Sequence, residues 1–238
     1  MSVQTINAAG SIADSLREVA RQIFETLRAQ ATDAPLTVGL CGGRSVVGLL
    51  SALEQESQAQ PGDLLQRVHF FMVDERLVSL TDEQSNYGGL KKLLFDQLVT
   101  QGTIRSQQLH PFAPDTTLPD WGCSAYGEEL KRYGGRFTVV VLGVGEDGHI
   151  AGLFPNHQVL REDTKGFFTF LDSPKPPPAR MTAGKQLIVD SDLSVVLILG
   201  EGKRSAWETF RVGKASISDC PALIATHAKR CIVVTDLV

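Results

Sequence analysis

Asp147 and His149 stand two positions apart in the run Gly143-Val144-Gly145-Glu146-Asp147-Gly148-His149. Histidine can take up a proton near neutral pH, and a neighbouring carboxylate orients the imidazole and stabilises its charged form. A lone histidine is more often a satisfied structural residue. Here three framing glycines and a place directly after the β-branched run Phe137 to Leu142 (FTVVVL) favour a general base. The same glycines spell G-x-G-x-x-G, the dinucleotide fingerprint. We reject that reading. The fingerprint usually belongs to the first strand–helix unit, whereas this run falls past the middle of the chain. Glu146 and Asp147 would also repel a pyrophosphate, and Phe154-Pro155 interrupts the long helix that should follow.

Two further loops follow apolar runs. Asp74-Glu75-Arg76 comes directly after Val68 to Val73 (VHFFMV), with Ser85-Asn86-Tyr87 downstream. Three consecutive charges at the end of a buried strand suit catalysis or binding, because active groups collect at strand ends in α/β sheets. A structural ion pair tying strand to helix is the alternative. Gly42-Gly43-Arg44-Ser45 follows Leu36 to Cys41 and precedes a helical stretch. Adjacent glycines let the backbone turn N–H groups toward a ligand at a helix N-terminus, which makes a phosphate seat. A plain tight turn explains the same residues equally well. Lys203, in Gly200-Glu201-Gly202-Lys203, precedes another helix and is placed to face the same cleft; the loop lacks Walker A spacing. Lys175 and Arg180 are the two cations of the stiff segment Ser173 to Arg180 (SPKPPPAR).

The elements that must position these loops are legible from periodicity. Ile12, Leu16, Val19, Ile23 and Leu27 recur at helical spacing behind a Ser11/Asp14 capping signal. Helices are also expected over about Ser45 to Gln58 and Asn86 to Val99, the latter with Leu90, Leu93, Leu94 and Leu98 on one side. Val195 to Leu199 and Cys231 to Thr235 are further continuous apolar runs. Strands apolar throughout, alternating with helices, imply a parallel sheet covered on both faces. The expectation is one α/β domain over residues 1–238, a three-layer Rossmann-like parallel-sheet fold. Pieces near Pro61-Gly62, Pro111 to Trp121 and Ser173 to Pro178 read as surface loops.

A net charge of −4 gives no footprint for nucleic-acid binding, which needs a basic surface. The start of the chain shows no export signal, and no run approaches the roughly 20 apolar residues that span a bilayer. Cys41, Cys123, Cys220 and Cys231 match no zinc spacing and read as buried thiols in a reducing cytoplasm. His69 reads as a packed strand residue, and His110, His157 and His227 share no ligand-like spacing. No metal is expected, and either a monomer or a homodimer fits.

Together, the Gly-Gly turn at 42–45, DER at 74–76 with Ser85-Asn86, LGVGEDGHIAGLFP at 142–155, SPKPPPARMT at 173–182 and GEGK at 200–203 resemble the 6-phosphogluconolactonase family, in the family's order. That family is grouped with glucosamine-6-phosphate isomerase/deaminase. The resemblance implies cofactor-free hydrolysis of 6-phosphogluconolactone. It implies His149 as the base that activates water, with Asp147 and Asp74 supporting it. Arg76 and Arg180 would bind anionic groups, and Gly42, Gly43, Ser45 and Lys203 would complete a phosphate seat; Asn86 and Lys175 join the substrate-binding set. The family's first loop usually reads Gly-Gly-Ser-Thr-Pro, whereas here it is Gly-Gly-Arg-Ser-Val. Ser45 keeps the hydroxyl, and Arg44 either adds a phosphate contact or points away.

Two rivals share the fold. The isomerase/deaminase relatives carry a carboxylate in an Asn-Glu-Pro setting shortly after the Asp-Gly-His loop. Here that stretch is Ala151-Gly152-Leu153-Phe154-Pro155, and the next acid is Glu162. A non-catalytic sugar-phosphate sensor would need a DNA-binding segment, yet the 35 residues ahead of the first apolar run show one helix.

Overall fold

The continuous apolar runs become the middle of a seven-stranded sheet in which every neighbouring pair is parallel. The structure is a computed structural model that describes residues 2–30, 34–58 and 64–237, without the Arg44 side chain; Pro61-Gly62 lies outside the described residues. The sheet strands are β1 (Ser2–Asn7), β2 (Leu36–Leu40) and β3 (Val68–Met72), then, after β4 (Asp74–Arg76), β5 (Leu109–His110) and β6 (Val139–Gly143). Beyond β7 (Phe167–Phe170) and β8 (Arg180–Ala183) come β9 (Leu193–Ile198) and β10 (Arg230–Thr235). The large sheet runs β1-β10-β9-β6-β2-β3-β5. Residues of β2 and β9 are buried without exception, as burial of both sheet faces requires.

Helices α1 (Ile12–Arg28) and α2 (Arg44–Gln58) match the periodicity. Ser11 caps α1 by accepting a hydrogen bond from the Asp14 N–H at 3.1 Å. The stretch from Asn86 is α3 (Asn86–Leu90) and α4 (Asp96–Thr100) joined through a π-helical turn over Lys91–Phe95. Leu90, Leu94 and Leu98 are buried, but Leu93 is 59% exposed, contrary to expectation. A π turn holds more residues than an α turn. An apolar stripe reckoned at 3.6 residues per turn therefore slips across it. The remaining helices are α5 (Cys123–Arg132), α6 (Lys185–Val189) and α7 (Arg204–Val212).

Two features differ from the sequence reading. A strand, β1, precedes α1; its largely exposed SVQTIN sequence is that of an edge strand, which never forms an apolar run. Asp74-Glu75-Arg76 is not a loop but β4. With β8 and β7 it makes a second, antiparallel sheet ordered β4-β8-β7. The chain thus leaves β3, turns at Val73 and pairs at once with Arg180–Thr182. His69 does lie in β3, half-buried, with its ring 3.9 Å from that of Tyr133 and its Nδ1 2.9 Å from His110 Nε2.

Strands β2, β3 and β5 step outward in one direction, and β6, β9 and β10 in the other. The order reverses between β2 and β6. In parallel α/β sheets ligands bind beyond the carboxyl ends of strands at such a reversal. Gly42 follows β2 there, and the loop carrying His149 follows β6.

Candidate active site

Beyond Gly143 the chain folds back on itself. The Gly145 N–H donates to the His149 carbonyl at 2.8 Å, and the Gly148 N–H to the Gly145 carbonyl at 3.0 Å. Gly148 holds φ at +83°, a left-handed conformation that makes this return cheap only for glycine. The turn brings His149 Nδ1 to 2.5 Å from Asp147 Oδ1, while Asp147 Oδ2 lies 3.4 Å from Lys175 Nζ. The Phe154 ring lies 4.6 Å from the imidazole. Among the described residues none bonds His149 Nε2. Burial pushes the Asp147 carboxyl up, but the hydrogen bond and charge of His149, aided by Lys175, outweigh it and hold the group well below the usual carboxylate range. An ionised acceptor on Nδ1 leaves Nε2 as the free acceptor of a neutral ring.

Two lobes of a cleft meet at His149 and Lys175, which line both. The larger, about 470 Å³, is bounded by Gly42, Gly43, Ser45, Glu146 and Lys203. The smaller, about 200 Å³, is bounded by Asp74, Arg76, Arg180, Gly152 and Phe154. The sequence reading treated the cations as one seat; folding divides them. Lys203 faces the N-terminus of α2, and the two arginines face each other elsewhere.

That second pairing comes from the small sheet, whose register sets Arg76 directly opposite Arg180. Like charges directly across an antiparallel pair destabilise it. Arg180 is 5% exposed and donates from one Nη to the Pro176 carbonyl at 2.9 Å; Arg76 donates to the Gln84 carbonyl at 2.6 Å. Both Nε atoms are buried without a partner, and so is Asp74 Oδ1. Burial and the facing Arg76 push the Arg180 guanidinium down to about 10, which still leaves it charged at neutral pH. Burial pushes the Asp74 carboxyl up, opposed by Arg76, Arg180 and His149. Orphaned buried polar atoms are rare in folded proteins, and all three here belong to side chains that line the smaller lobe.

The other sequence candidates sort by their contacts. Asn86 is buried behind Asp74, and its Nδ2 donates to Asp74 Oδ2 at 2.9 Å and to the Asp74 carbonyl at 3.1 Å. Its Oδ1 lies 2.2 Å from where a Cβ on Gly42 would stand, so Asn86 joins the Gly-Gly turn to Asp74. Among the described contacts Asn86 does not line either lobe. Of the three DER charges, Glu75 is the structural one. Fully buried, it accepts from the N–H groups of Arg76, Asn86 and Tyr87 at 2.7, 2.7 and 2.8 Å and from Ser85 Oγ at 3.0 Å. Removing it strands those donors at the start of α3. Glu75→Ala is expected to cost about 3 kcal/mol or more, read as a lower urea midpoint at unchanged slope.

Two positioning groups escaped the sequence reading. Cys41 Sγ accepts from the Gly143 N–H at 2.9 Å, tying β2 to β6, and burial pushes its thiol up to about 12. Thr182 Oγ1 accepts from the Gly152 N–H at 3.0 Å beneath the smaller lobe. A cysteine and a threonine at those places carry no motif signal. Among the described residues no cluster of histidine, cysteine and carboxylate side chains is grouped for a metal.

The family model described as glucosamine-6-phosphate isomerases/6-phosphogluconolactonase matches residues 11–234. The chain belongs to that family. It is 34% identical to 6-phosphogluconolactonase from Borreliella burgdorferi over 205 residues, covering 86% of this chain and 85% of that protein. Its fold is similar to that of 6-phosphogluconolactonase from Thermotoga maritima, with a TM-score of 0.77, 24% identity and 98% of each chain covered. A monomeric glucosamine-6-phosphate deaminase superposes nearly as well, with a TM-score of 0.75 at 20% identity over 100% of this chain and 98% of that one. The fold is therefore common to both reaction classes, and side chains must separate them.

Proposed function

We propose that this protein hydrolyses 6-phospho-D-glucono-1,5-lactone to 6-phospho-D-gluconate, the second step of the oxidative pentose phosphate pathway, as a single cytoplasmic domain. The observation that carries the reading is the Asp147–His149 dyad, its Nε2 unspent, set between two cationic lobes. The named relative in Borreliella burgdorferi supports the same substrate. Four free, buried thiols suit a reducing cytoplasm.

The dyad supports the following chemistry. Asp147 holds the imidazole through Nδ1, so Nε2 takes a proton from a water that attacks the lactone carbonyl carbon. As the C1–O5 bond breaks, the imidazolium returns that proton to O5. The product acid then ionises. Lys203, Ser45 and the first-turn N–H groups of α2 suit the phosphate, since a helix N-terminus with a lysine is an anion seat. The carbonyl end falls to the arginine lobe, where negative charge develops on the carbonyl oxygen. Asp74 lines the same lobe, and its carboxylate suits a sugar hydroxyl.

Ala151, Gly152 and Phe154 line the smaller lobe, and none of them is an acid. The carboxylate that the isomerase/deaminase relatives carry in an Asn-Glu-Pro setting has no counterpart there. The test is purified protein with freshly made lactone, corrected for spontaneous opening, beside an ammonia-release assay on glucosamine 6-phosphate. Hydrolysis without ammonia is expected. Ammonia release, or binding of the lactone without turnover, would overturn the proposal.

A further inference from the structure

The lactone carries one anion, its phosphate, yet the cleft has two cationic lobes. The arginine lobe is lined by two guanidiniums, one carboxylate, Asp74, and Lys175, whose charge is already engaged with Asp147. With Asp74 ionised, one negative charge neutralises that set; a phosphate dianion overshoots it. The two Nε–H groups are buried and unpartnered, and planar guanidiniums pair best with a flat monoanion that has two oxygens. Lactone presents no such group. Its hydrolysis product does, at C1, the carbon His149 addresses.

We propose that Arg76 and Arg180 form a carboxylate site that holds the reaction product more tightly than the substrate, so that the enzyme is restrained by its own phosphorylated aldonate. The inference rests on the lactonase reading for the identity of that acid. It follows from the same charges that speed the reaction: groups aimed at a developing oxyanion remain aimed at the carboxylate that replaces it. Turnover then depends on a later reaction that consumes the phosphorylated acid, since accumulation occupies both lobes at once. Inhibition is competitive with lactone, with an inhibition constant below the Michaelis constant.

Calorimetric titration of the wild type with 6-phosphogluconate and with the matching 6-phosphoalditol, which carries CH2OH in place of the carboxylate, tests this without any variant. The acid is expected to bind about 10-fold or more tightly than the alditol, the scale of charge-assisted hydrogen bonds. Arg76→Ala should shrink that ratio toward one while leaving the alditol affinity nearly unchanged. Equal affinities in the wild type would overturn the proposal. So would an Arg76→Ala protein that loses acid and alditol alike, because the arginines would then be holding phosphate. A wild type that prefers the acid yet does not open the lactone would sink the enzymatic reading and leave the carboxylate site standing.

Discussion

His149→Ala is expected to slow lactone opening by roughly 100-fold or more, once the spontaneous rate is subtracted. The imidazole serves twice, as acceptor of the water proton and as donor to the leaving ring oxygen. No neighbouring group replaces it: Asp147 touches Nδ1, and Lys175 is engaged with Asp147. The loss should fall on kcat, because phosphate and sugar contacts belong to other residues. An unchanged corrected rate would remove the mechanism and leave the fold untouched. Acid bears on the dyad with a definite sign. The Asp147 carboxyl is depressed in the folded protein, so its stabilising contribution is present above the ordinary carboxylate value of about 4 and fades as pH falls below it.

Gly145→Ala should approach the same loss without removing a catalytic group. A Cβ there would lie 2.0 Å from His149 Nδ1 and 2.6 Å from Asp147 Oδ1, inside the space the dyad occupies. The Gly145 backbone has no left-handed φ, so alanine meets no conformational penalty, and the damage is steric and local. The expected result is a fall of about 100-fold in kcat, equal to silencing the base, with thermal unfolding shifted by a few degrees at most. Gly145→Ala with near-normal turnover would mean that the imidazole works from another position. A collapse in stability would instead point to a structural role for the turn.

Gly145 also shows how far spacing alone reaches. The glycines framing Asp147 and His149 signalled chemistry from the sequence, because such a cluster after a β-branched run has little use in packing. The parallel sheet was legible for a related reason: β2, β3, β6, β9 and β10 are buried on both faces and must be apolar at nearly every position. The edge strand β1 and the π turn were not. An edge strand has no inward run to betray it, and a π turn breaks the period by which helices are recognised.

Residue types and local order determined which groups this chain brings to a cleft: a dyad, a glycine turn, four cations and a buried acid. Tertiary structure alone decided how those groups are shared. Register between β4 and β8 set Arg76 against Arg180, residues 104 positions apart. Glu75, one residue from each of two site residues, went to capping α3 because successive side chains on a strand point to opposite faces. Pairing partners and strand facing are properties of distant segments meeting, and a motif read along one segment does not contain them.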